Sequence, residues 1–305
     1  MTLLERLEAI GEVRAHEPMS RHTTFGIGGP ADIFARIHTH TQLRDLAREA
    51  RDAGTSVFVL GSGSNLVVSD SGIRGVVVEN RAAAVGEPYG ENARLSLRAE
   101  SGASFAKLAR STARQSLTGL EWAAGIPGSL GGAVVYNAGA YGGCLADVLT
   151  SIDVLDQSGC ETTIPTAELG LEYRSSAFTR GLLAERVILS VEFRLEEGER
   201  DASLARIKDF ETKRKNTQPR GRNAGSIFKN PAAHPAWWLV DEVGLRGHRI
   251  GDATISEKHP NWILNQGAAR AADVHALMRL AADRVRETFG IELHAEAALV
   301  GEGFT

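Results

Sequence analysis

GLEWAAGIPGSLGGAVVYNAGAYGG, residues 119–143, is the stretch on which the reading of this chain turns. Eight of its 25 positions are glycine, where ordinary usage of about 7% predicts roughly two. The glycines are interleaved with Ile126, Leu130, Val134 and Val135 rather than with serine or glutamine, which excludes a flexible linker. A backbone of this composition approaches other groups closely and turns N–H groups toward an anion. A second loop, Gly61-Ser62-Gly63-Ser64-Asn65, follows the apolar run 57–60 and has the same chemistry. Two phosphate-cradling loops in one chain predict a diphosphate, and hence a dinucleotide cofactor.

Outward from these loops, hydrophobic periodicity predicts a short first helix, strands at 31–37 and 57–60, and a helix at 41–53 between them. A strand at 75–79 completes a β-α-β-β lobe that ends near 88–90. A second lobe is expected from a strand at 95–99 and a helix at 104–115, with further strands at 151–156 and 186–195. Residues 196–201 are acidic and read as a loop, and 206–222 are strongly basic, so a domain boundary is placed after residue 198. The last third predicts a helix at 271–289 and a strand at 291–300.

At 305 residues the chain exceeds what one core usually serves. Its net charge of -4 gives no general attraction to nucleic acid or anionic membrane. Cys144 and Cys160 form no CxxC pair and are too few for a disulfide framework, which fits a reducing compartment. The first residues lack a signal-peptide core, and no apolar run approaches the roughly 20 residues that span a bilayer. A cytoplasmic protein is expected.

The loop 61–66 departs from a dinucleotide fingerprint by having Leu66 at the third glycine and a strand, not a helix, at Val67-Val68. Alone it reads as a turn; beside 119–143 and Gly26-Ile27-Gly28-Gly29 it reads as a cofactor loop. In GSIFKNP (225–231), Ser226 either caps a turn or, freed by Gly225, sits beside a ligand that Lys229 charges. Lys213, Arg214, Lys215, Arg220 and Arg222 form either a solvated face or a nucleotide-diphosphate site. Without interleaved aromatics, a nucleic-acid site is disfavoured. Arg174 in YRSS (173–176) reads singly as a surface residue, and Glu296 as an exposed strand carboxylate sharing a face with Glu292 and His294. The nine histidines show no metal-ligand spacing, so no metal is assigned.

The order of these segments resembles the UDP-N-acetylenolpyruvoylglucosamine reductases, flavoenzymes of bacterial cell-wall precursor synthesis. The matching pieces are TTFGIGG (23–29), LGSGSNLVVSDSGIRGVVVE (60–79), 119–143, YRSS (173–176) and QPRGRNAGSIFKNP (218–231). GLRGHRIGDATISEKHPNWILN (244–265) and FGIELHAEAALVG (289–301) complete a match over nearly the whole chain.

This resemblance implies an α+β fold: a two-lobed FAD-binding region of the vanillyl-alcohol-oxidase/PCMH type over 1–198, lobes meeting near 85–92, then an α+β substrate-binding domain over 199–305. It implies NADPH-driven, FAD-dependent reduction of a nucleotide sugar, UDP-N-acetylglucosamine enolpyruvate, for peptidoglycan synthesis, without nucleic-acid or membrane partners. No oligomeric state follows. Arg174 matches the family's active-site arginine, Ser226 its proton donor and Glu296 its catalytic glutamate. Gly61, Ser62, Gly63, Ser64, Asn65 and Leu66 are expected to bind the cofactor. So are Gly125, Ile126, Pro127, Gly128, Ser129, Gly132 and Asn137, with Arg214, Lys229 and Asn230 on the substrate. Ala298 stands where relatives often have arginine, and no tyrosine follows Tyr173, so the chain resembles the shorter branch without a tyrosine-bearing lid. The alternatives are another FAD oxidoreductase on this scaffold and a nucleotide-sugar-binding protein that has lost catalysis.

Overall fold

The structure is a computed structural model that describes residues 2–91 and 94–304. Asn92, at the end of the expected lobe boundary, and the expected domain ends Met1 and Thr305 lie outside the described residues. The chain forms two compact units. Unit 1 holds the chain up to Val13, Ala35–Gly61 and Val78–Arg214; unit 2 holds Arg14–Phe34, Ser62–Val77 and the chain from Lys215 on.

Strands β1 (Glu12–Pro18), β2 (Pro30–Ile37), β5 (Ile73–Asn80) and β3 (Val57–Leu60) form a sheet in the order β1-β2-β5-β3. In unit 1, helix α1 (Leu3–Glu8) is capped by Thr2, and α2 (His40–Asp52) by Thr39 with Gln42 reaching back. Leu43, Leu46, Ala47 and Ala50 form the buried stripe of α2 at helical spacing. The larger sheet runs β12 (Glu161–Pro165), β11 (Leu149–Leu155), β13 (Val187–Glu197), β7 (Arg94–Glu100) and β6 (Tyr89–Glu91), with β8 (Leu117–Thr118) also beside β13. Its register places Val191 between Ile152 and Ala99. Against it lies α3 (Phe105–Arg114), where the Phe105 ring stacks 6.3 Å from Phe193 and meets Trp122 edge-on at 5.4 Å.

Residues 200–217 form a helix, α5 (Arg200–Thr217), and β13 runs to Glu197, so the loop expected at 196–201 shrinks to its centre. Because α5 packs Leu204, Ile207 and Phe210 on the core of unit 1, the division falls after Arg214 and differs from the boundary expected after 198. Only three apolar contacts anchor this charged helix, which is why no apolar stripe announced it.

Unit 2 packs α6 (Ala236–Glu242) and α7 (Ala271–Phe289) with the antiparallel strands β14 (Arg249–Ile250), β15 (Ala253–Ile255) and β16 (Ile263–Asn265). Strand β17 (Ala298–Val300) lies parallel to β4 (Leu66–Val68). Its core joins Phe25, Ile27 and Val67 to Leu239, Val240, Leu277 and Val285. The strand expected over 291–300 is therefore corrected to its last three residues. Burial there falls on Leu293 and Ala297, four apart, and not on alternate residues.

Candidate active site

In unit 1, the glycine-rich segment folds as helix α4 (Leu130–Val135) followed by a tight hairpin of β9 (Gly139–Ala140) and β10 (Gly143–Cys144). Ser129 caps α4, accepting from the N–H of Gly132, while the N–H groups of Leu130 and Gly131 bond to Ala103 and Ser101 carbonyls. The first turn of α4 is thus satisfied by protein groups. A Cβ on Gly61 would stand 2.1 Å from Ser129 Oγ, so the strand end at 61 and the cap at 129 abut because one is glycine.

The hairpin turn is Tyr141-Gly142, both left-handed at φ 54° and 88°. Gly143 backs onto the indole of Trp122, whose Cδ1 would lie 2.5 Å from an added Cβ. Asn137, buried and left-handed at φ 40°, donates to the Glu172 carbonyl and accepts from the N–H of Ala146. Both ends of its amide are engaged within the protein, tying the base of the hairpin to the 172–176 turn.

Arg174 sits on that turn, which is closed by reciprocal backbone hydrogen bonds between Glu172 and Ser175. Its φ is 52°, a conformation costing roughly 1–3 kcal/mol for a residue with a side chain. The guanidinium donates to the Gly139 carbonyl at 2.6 Å and lies 5.3 Å from the centre of the Tyr173 ring. The hairpin therefore aims Arg174. Nearby in the same unit, the Arg214 stem passes over Gly125, 3.1 Å from where a Cβ would be. Burial pushes Arg214 below its ordinary pKa, partly offset by Tyr141, and among the described residues it has no carboxylate partner. Tyr141 in turn stacks on Phe210 of α5 at 4.6 Å.

In unit 2, Ser226 and Glu296 belong to one backbone lattice. Ser226 bridges Trp262, and the N–H of Ile227 donates to Asn261 O. Asn261, 4% exposed, clamps Phe228 from both sides: its Oδ1 accepts from Phe228 N and its Nδ2 donates to Phe228 O. On the other edge, Glu296 N donates to Ile227 O and Lys229 N to His294 O. Asn65 finishes the lattice, its Nδ2 donating to Glu296 O while its own carbonyl accepts from Ala298 N. Gly225 precedes Ser226 at φ 82°, with nothing within 4 Å of its own Cβ position. Lys229 is half-buried and has no carboxylate partner among the described residues. Asn230 accepts from the N–H of Ala236 and so fixes the start of α6.

The expected cofactor residues Ser62, Gly63, Ser64, Asn65 and Leu66 also belong to unit 2. Gly63 (φ 60°) accepts at its carbonyl from the N–H and Oγ1 of Thr24, and a Cβ there would stand 2.2 Å from His22 O. Gly29 is pressed equally close to the backbone of Asp70, whereas Gly28 packs on the Val68 and Met19 side chains. The residues of the basic run, expected as either a solvated face or a diphosphate site, have different neighbours. Arg214 faces Gly125, Lys213 lies over the Phe210 ring, and Lys215 accepts from Lys258 at its carbonyl. Arg222 packs on Gly26 and its carbonyl bonds to Asn265 N.

Within unit 1 the half-buried Arg214 cation beside Gly125, with no acidic partner among the described residues, fits a phosphate-bearing cofactor. A cavity of about 530 Å³ opens at the start of α7 between Asp70, Arg270, His275, Arg279 and Phe304, away from every residue expected at the site. Asp70 there accepts from the N–H groups of Ala271 and Ala272, capping the helix. Sequence alone did not single out Asn261 or Asn65 as the pins of the site, since an asparagine clamp has no spacing of its own.

The profile of an FAD-binding domain matches residues 31–164, and that of the C-terminal domain of UDP-N-acetylenolpyruvoylglucosamine reductase matches 217–300. The chain is 43% identical over 297 residues to the UDP-N-acetylenolpyruvoylglucosamine reductase of Syntrophus aciditrophicus, spanning 96% of this chain and 93% of the relative. The same-named protein of Clostridium kluyveri is 37% identical over 304 residues, 98% and 96% of the two chains. The crystal structure of UDP-N-acetylenolpyruvylglucosamine reductase from Thermus caldophilus superposes with a TM-score of 0.79 at 34% identity, covering 95% of this chain and 100% of that one. A lattice that ties Ser226 to Glu296, an arginine aimed by a glycine-rich hairpin, and relatives alike over nearly the full length lead to one family: the chain belongs to the UDP-N-acetylenolpyruvoylglucosamine reductases.

Proposed function

We propose that this protein reduces UDP-N-acetylglucosamine enolpyruvate to UDP-N-acetylmuramate with FAD and NADPH, in cytoplasmic synthesis of peptidoglycan precursors that serves cell shape and division. The observation carrying this reading is that the reductase C-terminal profile, 217–300, lies wholly outside the flavin-binding profile and contains both Ser226 and Glu296. Another FAD oxidoreductase on the same scaffold would have no reason to match there. In this reading the flavin is held by the glycine-rich segments 61–66 and 125–137, and the nucleotide sugar by Arg214, Lys229 and Asn230 with the rest of the C-terminal region. Among the described residues no helix is long and apolar enough to cross a membrane.

Bound FAD supplies a two-electron relay by which hydride from NADPH reaches C3 of the enolpyruvyl group. Negative charge then develops at C2 and in the adjoining carboxylate. Arg174 offers that carboxylate a planar fork of N–H donors, a geometry lysine lacks. Its fixed aim matters as much as its charge, because a donor already in place costs no reorganisation as charge appears. Ser226 donates its hydroxyl proton to C2; an enolate is basic enough to take it when the hydroxyl is positioned by a rigid backbone. Glu296, held by the same lattice, is the third catalytic residue of this reading.

The test is anaerobic. Purified yellow protein should bleach on adding NADPH and recolour on adding UDP-N-acetylglucosamine enolpyruvate. Protein that bleaches and stays bleached would remain a flavoenzyme and lose this substrate.

A further inference from the structure

Two adjacent indoles on α6 face opposite ways. Trp238 turns inward, 4.5 Å from the His234 ring and 5.6 Å from Phe289. Trp237 turns outward and is 40% exposed. A lone exposed aromatic needs no explanation, but this one is built in. Behind it stands the His259 ring, 6.4 Å away and inclined at 63°, and behind that the Trp262 ring, 6.2 Å further at 66°. Trp262 is buried and is the residue whose backbone bridges Ser226. At its other end, Trp237 follows Ala236, whose N–H is held by Asn230. The indole is thus tied twice to the 226–230 segment, once through edge-to-face ring contacts and once through the helix start.

We propose that the exposed face of Trp237, backed by His259, is the surface on which the uracil base of the nucleotide sugar stacks. The inference rests on the substrate proposed above. A nucleotide sugar presents a dianionic diphosphate and a flat neutral base joined by a ribose, and segment 229–237 presents a cation and a flat ring in the same order. Lys229 has no carboxylate partner among the described residues. Burial, opposed by a backbone hydrogen bond and reinforced by Arg246, holds His259 below its ordinary pKa. Its Nδ1 is buried and has no hydrogen-bond partner among the described residues. A neutral plate accepts a base and gives a phosphate nothing. No tyrosine follows Tyr173, so among the phenol-bearing residues none of the C-terminal third competes for this role.

The test compares Trp237→Ala and Trp237→Phe with wild type in each half-reaction. Loss of a base–aromatic stack should raise KM for the nucleotide sugar and Kd for UDP by roughly 5- to 150-fold in Trp237→Ala. The change in kcat should be far smaller, and Trp237→Phe should recover most of the affinity. Flavin bleaching by NADPH should keep its concentration dependence, which separates uracil from the adenine of the reductant. Unchanged UDP affinity in Trp237→Ala overturns the proposal, as does a phenylalanine variant no better than alanine. An equal loss in the NADPH phase overturns it in favour of adenine. Wild-type protein that fails to recolour with the nucleotide sugar overturns the functional reading and this inference together, whereas wild-type turnover with an indifferent Trp237→Ala overturns the stack alone.

Discussion

Arg174 and Ser226 are held by opposite means. Ser226 sits in a multi-stranded backbone lattice in which segments 226–229, 261–262, 294–298 and Asn65 hydrogen-bond across one another. Arg174 sits on a four-residue turn, left-handed, with its guanidinium steadied by a carbonyl of a two-residue hairpin. The first arrangement depends little on which side chains it carries, apart from the two asparagines. The second depends on a few glycines and on a strained conformation that only its surroundings enforce. In the reaction proposed above, a rigid frame would hold the proton donor and a stiff local device would aim the charge-stabilising fork.

The largest effect should come from removing the proton on the lattice side. Ser226→Ala should slow flavin reoxidation by the nucleotide sugar by at least about 100-fold while bleaching by NADPH is untouched, followed by anaerobic stopped flow. Equal slowing of both phases would mean that the hydroxyl supports the fold and not the chemistry. On the hairpin side, Arg174→Lys should keep the charge and lose the fork, lowering kcat by about 100-fold. Arg174→Gly also loses the fork, yet should hold or raise the melting temperature, because the left-handed strain is relieved. A lower melting temperature for the glycine variant would show that the guanidinium stabilises the turn more than strain opposes it.

Asn261→Ala breaks the lattice itself. It leaves the buried N–H and carbonyl of Phe228 without partners and should cost about 2–4 kcal/mol in urea unfolding. A cost near zero would show that another group takes over the clamp. The smallest effect concerns Glu121, buried at the start of the glycine-rich stretch. Burial alone would raise its pKa, but hydrogen bonds from Ser203, Thr118 and the N–H of Gly119 outweigh it and hold the carboxyl below 4.5. A depressed folded pKa adds stability that is present above the ordinary carboxylate value and lost as pH falls through the folded one. Stability measured from about pH 6 to about pH 3 should therefore fall less steeply in Glu121→Gln than in wild type.

Much of the fold was legible because burial imposes a period. The helix at 271–289 and the strand at 57–60 were read to the residue, and the remaining helix and strands expected in the lobes lie within a few residues of their places. The failures came where burial and period part company. Helix α5 rests on three apolar side chains amid charge, and β1, with a single buried residue in seven, carries no alternation. At 291–297 the apolar residues do alternate, but the segment is held by crosswise backbone bonds and buries only Leu293 and Ala297. Ser226 and Glu296 are singled out by motif resemblance, and the glycines by composition. What composition did not reveal is that Gly29, Gly61 and Gly63 are required by neighbouring protein atoms at 2.1–2.2 Å, a demand set by residues far away in sequence.

The chain crosses between its two units after residues 13, 34, 61, 77 and 214. Neither unit is therefore a module that genetic exchange can lift out as one piece. A fragment beginning at 217, where the reductase-specific profile starts, would lack Phe25, Ile27 and Val67 from its core. It would also leave 298–300 without the parallel partner at 66–68, an open edge that invites pairing with other chains. Unit 2 thus cannot be traded among flavoproteins without carrying two pieces of the N-terminal third along with it.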